Sequence, residues 1–215
     1  MEKKHYILIE GGIGLGKTTL AEALGKKLAA KVLFEPAEGV NPYLDDYYSN
    51  PAAFAFKIQI FLLWRRFRAH ALAQALVMQG ECSVISDRSY YGDRAFACVQ
   101  RDQGFFDDRD FDTYTELHRD MGRSLVLPSC VILLDGDADL AFERISKRGR
   151  GCEVGMSKDY WQAVQEATIV EACAVGAHVP LFIRLDARCD VDSLVEQICC
   201  RLEIHQFGQC TYRSV

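Results

Sequence analysis

The stretch "EGGIGLGKTT" occupies residues 10–19 and directly follows the apolar run "YILI" at 6–9. Gly11, four residues, Gly16, Lys17 and Thr18 give the spacing G-x-x-x-x-G-K-[ST], in which the backbone of a glycine-rich loop cradles phosphates. Its N–H groups point at phosphate oxygens, and the helix that starts behind it adds the positive end of its dipole. The expected contacts of a bound ATP are Gly11, Gly12, Ile13, Gly14, Leu15, Gly16, Lys17, Thr18 and Thr19. Lys17 would reach the β- and γ-phosphates, and the Thr18 hydroxyl would bind Mg²⁺. A strand-like run before the loop and a helical stripe of Leu20, Leu24 and Leu28 after it distinguish the motif from a chance glycine turn. The loop specifies a phosphate donor. It leaves the acceptor open.

Four more short apolar runs follow "HYILIE" (5–10): "KVLFE" (31–35), "CSVIS" (82–86), "CVILLD" (130–135) and "PLFIRLD" (180–186). They show little alternation, as strands covered on both faces do. Helical patterns separate them, at about 17–30, 51–79, 108–125, 137–147, 158–175 and 190–203. The longest is opened by Asn50 as N-cap and Pro51, is closed by Gly80, and would run about 40 Å. This alternation predicts an α/β three-layer sandwich, a five-stranded parallel sheet flanked by helices. No repeat, low-complexity tract or Pro/Gly/Ser linker interrupts it, so one domain over 1–215 is expected. The tail at about 205–215 has no assigned role.

The chain of 215 residues is 49% hydrophobic, enough for a sizeable core, and carries a net charge of -5. That balance argues against a broad phosphate-facing surface, so no nucleic-acid polymer is expected as partner. Nine cysteines form no C-x-x-C pair, and Cys199 and Cys200 are adjacent, so thiols of a reducing cytosol are expected rather than bridges or zinc. The five histidines have no ligand spacing. "YILI" is too short for a signal core, and no apolar run approaches the roughly 20 residues that span a bilayer. A cytoplasmic protein without membrane contact is the expectation.

In doubly wound sheets, ligands lie beyond the carboxyl ends of the strands. There the sequence places Glu35 in "FEPAEG", and Asp87 and Arg88 in "ISDRSYYGDRAFA" (85–97). An acid at the third strand can hold Mg²⁺, as Asp87 would, and Arg88 can neutralise charge developing on a transferred group. A hydroxyl acceptor needs a base within hydrogen-bond reach, and Glu35 is the candidate. Gln59 and Arg66 are seven residues apart on the long helix and share a face. A buried Arg66 there would need an acidic partner. Phe54, Phe56 and Phe61 are core by default, with Phe54 the choice for a pocket wall; Trp64 is packing. Arg144, Arg148 and Arg150 cluster in "RISKRGRGCE" (144–153), a Gly-bounded loop suited to a phosphate clamp that swings closed, a lid at about 144–155.

"GGIGLGKTT", "FEP", "FKIQIFLLWRRFRAH", "DRSYYGDRAFA" and "RISKRGRGCE" occur in the order seen in the deoxynucleoside kinases. Over roughly 5–204 the chain resembles that family of P-loop kinases, which phosphorylate a deoxynucleoside with ATP and Mg²⁺. The resemblance implies that Glu35 is the base for the sugar 5′-hydroxyl and that Asp87 and Arg88 are the acidic–arginine pair at the metal and transferred phosphoryl. It implies Gln59 on the base edge, Arg66 and Asp93 as a charged pair facing the base, and Tyr48 with Glu153 on the 3′-hydroxyl. It makes Arg144, Arg148 and Arg150 lid arginines, and it implies a homodimer packed through long helices. Asp87 stands where the mammalian deoxycytidine kinase branch has Glu; "DRS" resembles bacterial members. Because thymidine-preferring members replace the Arg and Asp that face the base, Arg66 and Asp93 point to a purine or cytosine, with deoxyadenosine or deoxyguanosine preferred.

Two alternatives compete. Thymidylate kinases also open with such a loop and carry Asp-Arg at the third strand, but "FEPAEGVNP" lacks the arginine and paired glycines expected around their Glu-Pro. A P-loop switch or a protein acting on a polymer is opposed by the acidic charge and by the absence of an N-K-x-D run. Arg184, inside a strand expected to be buried, is left without a role.

Overall fold

The computed structural model describes residues 4–35, 41–148 and 157–211. In chain order the elements are β1 (Tyr6–Gly11), α1 (Lys17–Leu28), β2 (Lys31–Leu33), α2 (Leu44–Ser49), α3 (Pro51–Met78), β3 (Val84–Asp87) and α4 (Asp93–Asp102). Then come α5 (Asp108–Gly122), β4 (Cys130–Asp135), α6 (Ala138–Arg148), α7 (Lys158–Gly176), β5 (Leu181–Asp186) and α8 (Val191–Thr211). The five strands form one sheet in the order β2-β3-β1-β4-β5, and every pairing is parallel.

Parallel strands expose both faces to helices, and the side chains sort accordingly. Ile7 and Ile9 of β1 pack on one face with Leu20 and Leu24 of α1 and with Leu194 and Ile198 of α8. Tyr6 and Leu8 turn to the other face, with Ala73 of α3, Val84 and Val131. Burying each such aliphatic side chain contributes about 1.5–3 kcal/mol. A separate apolar cluster joins Ala55, Ile58 and Leu63 of α3 to Tyr90, Phe106 and Tyr114. It anchors the helical layer that carries half of the polar site.

The 28-residue α3 starts as expected: the Asn50 side chain accepts from the Ala53 N–H at 3.4 Å, and Pro51 takes the first turn, where no N–H is needed. It ends before Gly80, whose φ of 74° is one a side chain resists. The short helices α2 and α4 escape the sequence pattern. Neither has a side-chain cap, and α4 begins at a bare Gly92. β2 closes at Leu33, so Glu35 lies just past its carboxyl end, and β3 runs to Asp87.

β5 departs from the expected burial. It is an edge strand whose residues from Ile183 onward alternate between inside and outside, so Arg184 lies in solvent and pairs with Asp135 at 2.5 Å. Arg88, just after β3, adopts φ 70°, a left-handed conformation that costs an L-residue about 1–2 kcal/mol. Its N–H donates to the Ile9 carbonyl at 3.0 Å, which holds the strained residue to the end of β1.

Candidate active site

The phosphate loop sits between β1 and α1 as the spacing predicted. Gly16 caps α1 with φ 92°, and a Cβ on Gly12 would fall 2.4 Å from Gln165 Oε1 on α7. The Lys17 ammonium reaches back across the loop to the Gly12 carbonyl at 2.7 Å. Burial lowers its pKa to about 7, reinforced by Arg88 and opposed by Asp87, Glu35 and Glu10. The Trp161 indole N–H donates to the Ile13 carbonyl at 2.8 Å, bracing the loop from α7. A cleft of about 540 Å³ opens between the loop, the first turn of α1, Arg144 and the turn at Ala187–Asp190. Arg144 is tied there, with Nη1 on the Leu15 carbonyl at 2.9 Å and Nη2 on the Ala187 carbonyl at 2.7 Å. It braces this cleft from α6. The side chain of Arg148, and Arg150 and Glu153 altogether, lie outside the described residues.

Thr18, which lines this cleft, donates from Oγ1 to Oδ2 of Asp87 behind it at 2.5 Å. A hydroxyl and a carboxylate are hard oxygen donors that suit Mg²⁺. Among the described residues no group of three or more His, Cys, Asp or Glu could hold a metal by itself. A cation here would therefore take its remaining ligands from phosphates and water, as Mg²⁺ at a triphosphate does.

Beside the loop, Glu35 lies between two guanidiniums. Arg88 Nε forms an ion pair with its Oε2 at 3.0 Å, and Arg66 Nη2 donates to its Oε1. Although 29% of the side chain is exposed, the two cations surround the carboxylate. Burial alone would raise its pKa; Arg66 and Arg88 outweigh that and hold it down to about 2. The Phe96 ring of α4 lies under both guanidinium carbons, with its centroid 5.3 Å from that of Arg66 and 4.9 Å from that of Arg88. A cleft of about 550 Å³ opens from Glu35, Asp87 and Arg88 between β2 and α3.

Arg66 also carries the site inward. Its Nη1 donates to Asp93 Oδ1, while Asp93 Oδ2 accepts from Gln59 Nε2 at 2.8 Å and from the Tyr114 hydroxyl at 2.6 Å. Gln59 Nε2 also reaches the Asp93 carbonyl at 3.0 Å, and Gln59 Oε1 accepts from Gln100 at 3.1 Å. Gln59 and Asp93 are fully buried. The expected trio of Gln59, Arg66 and Asp93 is thus one network. Phe54 lies in the neighbouring apolar cluster, with the Lys57 ammonium 4.3 Å above its ring. Tyr48 is exposed on α2, its ring edge-on to Tyr47.

Sequence reasoning missed Tyr114, Gln100, Phe96 and Glu10. The first three sit on helices whose faces are set only by packing. Glu10 had a signal, since it shares the parity of Tyr6 and Leu8 on β1 and so had to be buried. Its carboxyl faces Gly92 so closely that a Cβ there would lie 2.4 Å from Oε1. Burial raises its pKa, and the charges of Arg88 and Lys17 and the Ser89 hydroxyl draw it back.

The family model described as deoxynucleoside kinase matches residues 7–187. A deoxyadenosine kinase of Dictyostelium discoideum is 34% identical over 203 residues, covering 94% of this chain and 81% of that protein. A deoxyadenosine/deoxycytidine kinase of Bacillus subtilis is 33% identical over 163 residues, 74% of this chain and 73% of that one. Among solved structures, a deoxyadenosine kinase from M. mycoides with the products dCMP and a flexible dCDP bound is similar at a TM-score of 0.80. It is 31% identical, and the match covers 92% of this chain and 98% of that one.

Proposed function

The chain belongs to the deoxynucleoside kinase family, and from that premise we propose that it moves the γ-phosphate of ATP to a deoxynucleoside 5′-hydroxyl, preferring deoxyadenosine, deoxyguanosine or deoxycytidine to thymidine. One observation carries the reading. Glu35 stands beside the phosphate loop, and the guanidinium that contacts it also contacts the buried Gln59–Asp93 network. A hydroxyl acceptor and a planar base could therefore be held by one continuous set of side chains.

In this reading the loop N–H groups and Lys17 bind the donor phosphates, with Arg144 bracing the loop from behind. Thr18 and Asp87 would hold Mg²⁺, which when bound supplies charge neutralisation on the phosphates. Glu35 would accept the proton of the 5′-hydroxyl as the hydroxyl oxygen attacks the γ-phosphorus and the bond from that phosphorus to the bridging oxygen breaks, releasing ADP. Arg88 steadies the carboxylate and faces the charge on the transferred group. The Gln59 amide, held in the resting network by Asp93 and Gln100, would offer donor and acceptor atoms to a base edge on exchanging those partners. The structures of the M. mycoides relative with dCTP and with dATP support a site of this kind that admits cytosine and adenine. We also assign a homodimer, supported by the exposed Trp64, Leu72 and Met78 along α3. No helix among the described residues is long and apolar enough to cross a membrane.

The test is phosphorylation of deoxyadenosine, deoxyguanosine, deoxycytidine and thymidine with ATP and Mg²⁺, run beside a thermal-shift series that adds dTMP and single-stranded DNA. Product from a purine or cytosine nucleoside is expected. Stabilisation by dTMP and by no nucleoside would overturn the reading.

A further inference from the structure

Arg66 holds two carboxylates that have different work to do. Its Nη1 is on Asp93 and its Nη2 on Glu35, while the buried Nε N–H has no acceptor among the described residues. We propose that Arg66 is a positioning residue that couples recognition of the nucleobase to the freeing of Glu35. A base that offers an acceptor to the Arg66–Asp93 edge draws the guanidinium away from the Glu35 carboxylate.

The two carboxylates are not held equally. Asp93 is fully buried and takes further donors from Gln59 and Tyr114, fastened from α3 and α5 at once. Glu35 lies just past the short β2, is partly exposed, and among the described residues has Arg88 alone as its second ion partner. When a third acceptor competes for the guanidinium, the contact with fewer supports yields, and that contact is Glu35. Arg88 then keeps hold of Oε2 while Oε1 becomes available to a hydroxyl proton.

The chemistry requires such a release. In the free protein each oxygen of Glu35 already faces a guanidinium, Oε1 hydrogen-bonded to Arg66 and Oε2 ion-paired with Arg88, and Arg66, Arg88 and Lys17 together hold its pKa to about 2. A carboxylate that acidic has little drive to take a proton from an alcohol. Moving one guanidinium away raises its basicity only when a base is seated, so a bare sugar or water meets the weaker base. Glu10 nearby is also within the field of Arg66 and Arg88, so it must be followed separately.

The inference rests on the proposed nucleoside site. Its test is a ¹³C carboxyl titration of Glu35 in the full chain, assigned with Glu35→Gln, alone and saturated with deoxyadenosine or deoxyguanosine without ATP. The Glu35 signal should titrate at least about one pH unit higher in the complex, as expected on losing one adjacent cation. In Arg66→Lys, which cannot span both acids, it should be raised already and move less when nucleoside is added. If wild-type Glu35 titrates alike with and without a nucleoside that binds, the coupling is wrong. Activity of Glu35→Gln separates the two readings: near-normal kcat would remove Glu35 as the base, while a large loss with an unmoved titration would reject the coupling alone.

Discussion

Thr18 Oγ1 donates to Asp87 Oδ2 at 2.5 Å, joining the first turn of α1 to the last residue of β3. These residues are 69 positions apart, and their contact brings two oxygen donors together beside the glycine-rich loop. Chelation of Mg²⁺ with EDTA should abolish phosphoryl transfer and leave deoxynucleoside binding intact. Thr18→Ala should weaken MgATP and lower kcat about 10- to 100-fold. Steady-state kinetics together with calorimetric titration of the nucleoside would show both.

Glu35→Gln keeps the size of the side chain and its place beside Arg66 and Arg88 but removes the carboxylate proposed to take the proton. kcat should fall about 100-fold or more while nucleoside affinity survives, the pattern of a group that acts in the transition state. Single-turnover rates measured beside equilibrium binding are the check.

Tyr114→Phe removes one of the donors on the buried Asp93 carboxylate. Leaving that oxygen short should cost about 1–3 kcal/mol in denaturant unfolding. The same change should raise KM for the nucleoside more than it lowers kcat, because the Gln59–Asp93 geometry loosens while Glu35 is untouched.

His70 is buried among Tyr6, Tyr90 and Tyr91, its Nε2 2.8 Å from the Val126 carbonyl. Burial lowers its pKa to about 4, against a smaller upward pull from that carbonyl. Between an unfolded value of about 6.5 and the folded one, the unfolded chain binds a proton that the folded chain refuses. The stability is therefore fully present above about pH 6.5 and drains toward pH 4, by up to about 1.4 kcal/mol per pH unit. His118 is shifted the same way, so the measurement is a difference: His70→Phe should show the shallower loss of stability across this window.

What could be read from the sequence depended on how locally each feature is encoded. The phosphate loop is contiguous, and its glycines, Lys17 and Thr18 declare themselves. Gln59 and Arg66 could be paired because a helix fixes the direction of residues seven apart. Asp93 could be joined to them only by resemblance, since the helix that carries it begins at an uncapped glycine and lasts ten residues. Tyr114 and Phe96 stayed hidden for a plainer reason: an aromatic residue on a helix has the same pattern whether it fills a core or steadies a charged group. Arg184 misled because strand order cannot be read from composition. A central strand forbids an exposed arginine, and an edge strand accepts one.

That edge placement also bears on how copies of the chain meet. A parallel sheet ends on each side in unpaired backbone groups that could add a strand from a neighbouring molecule. Here one border, β2, is only three residues long, and the other carries Arg184 and Asp186 outward with Asp135 alongside. Brevity on one side and charge on the other are the devices by which edges are blunted. Both edges thus carry features that disfavour the addition of a foreign strand.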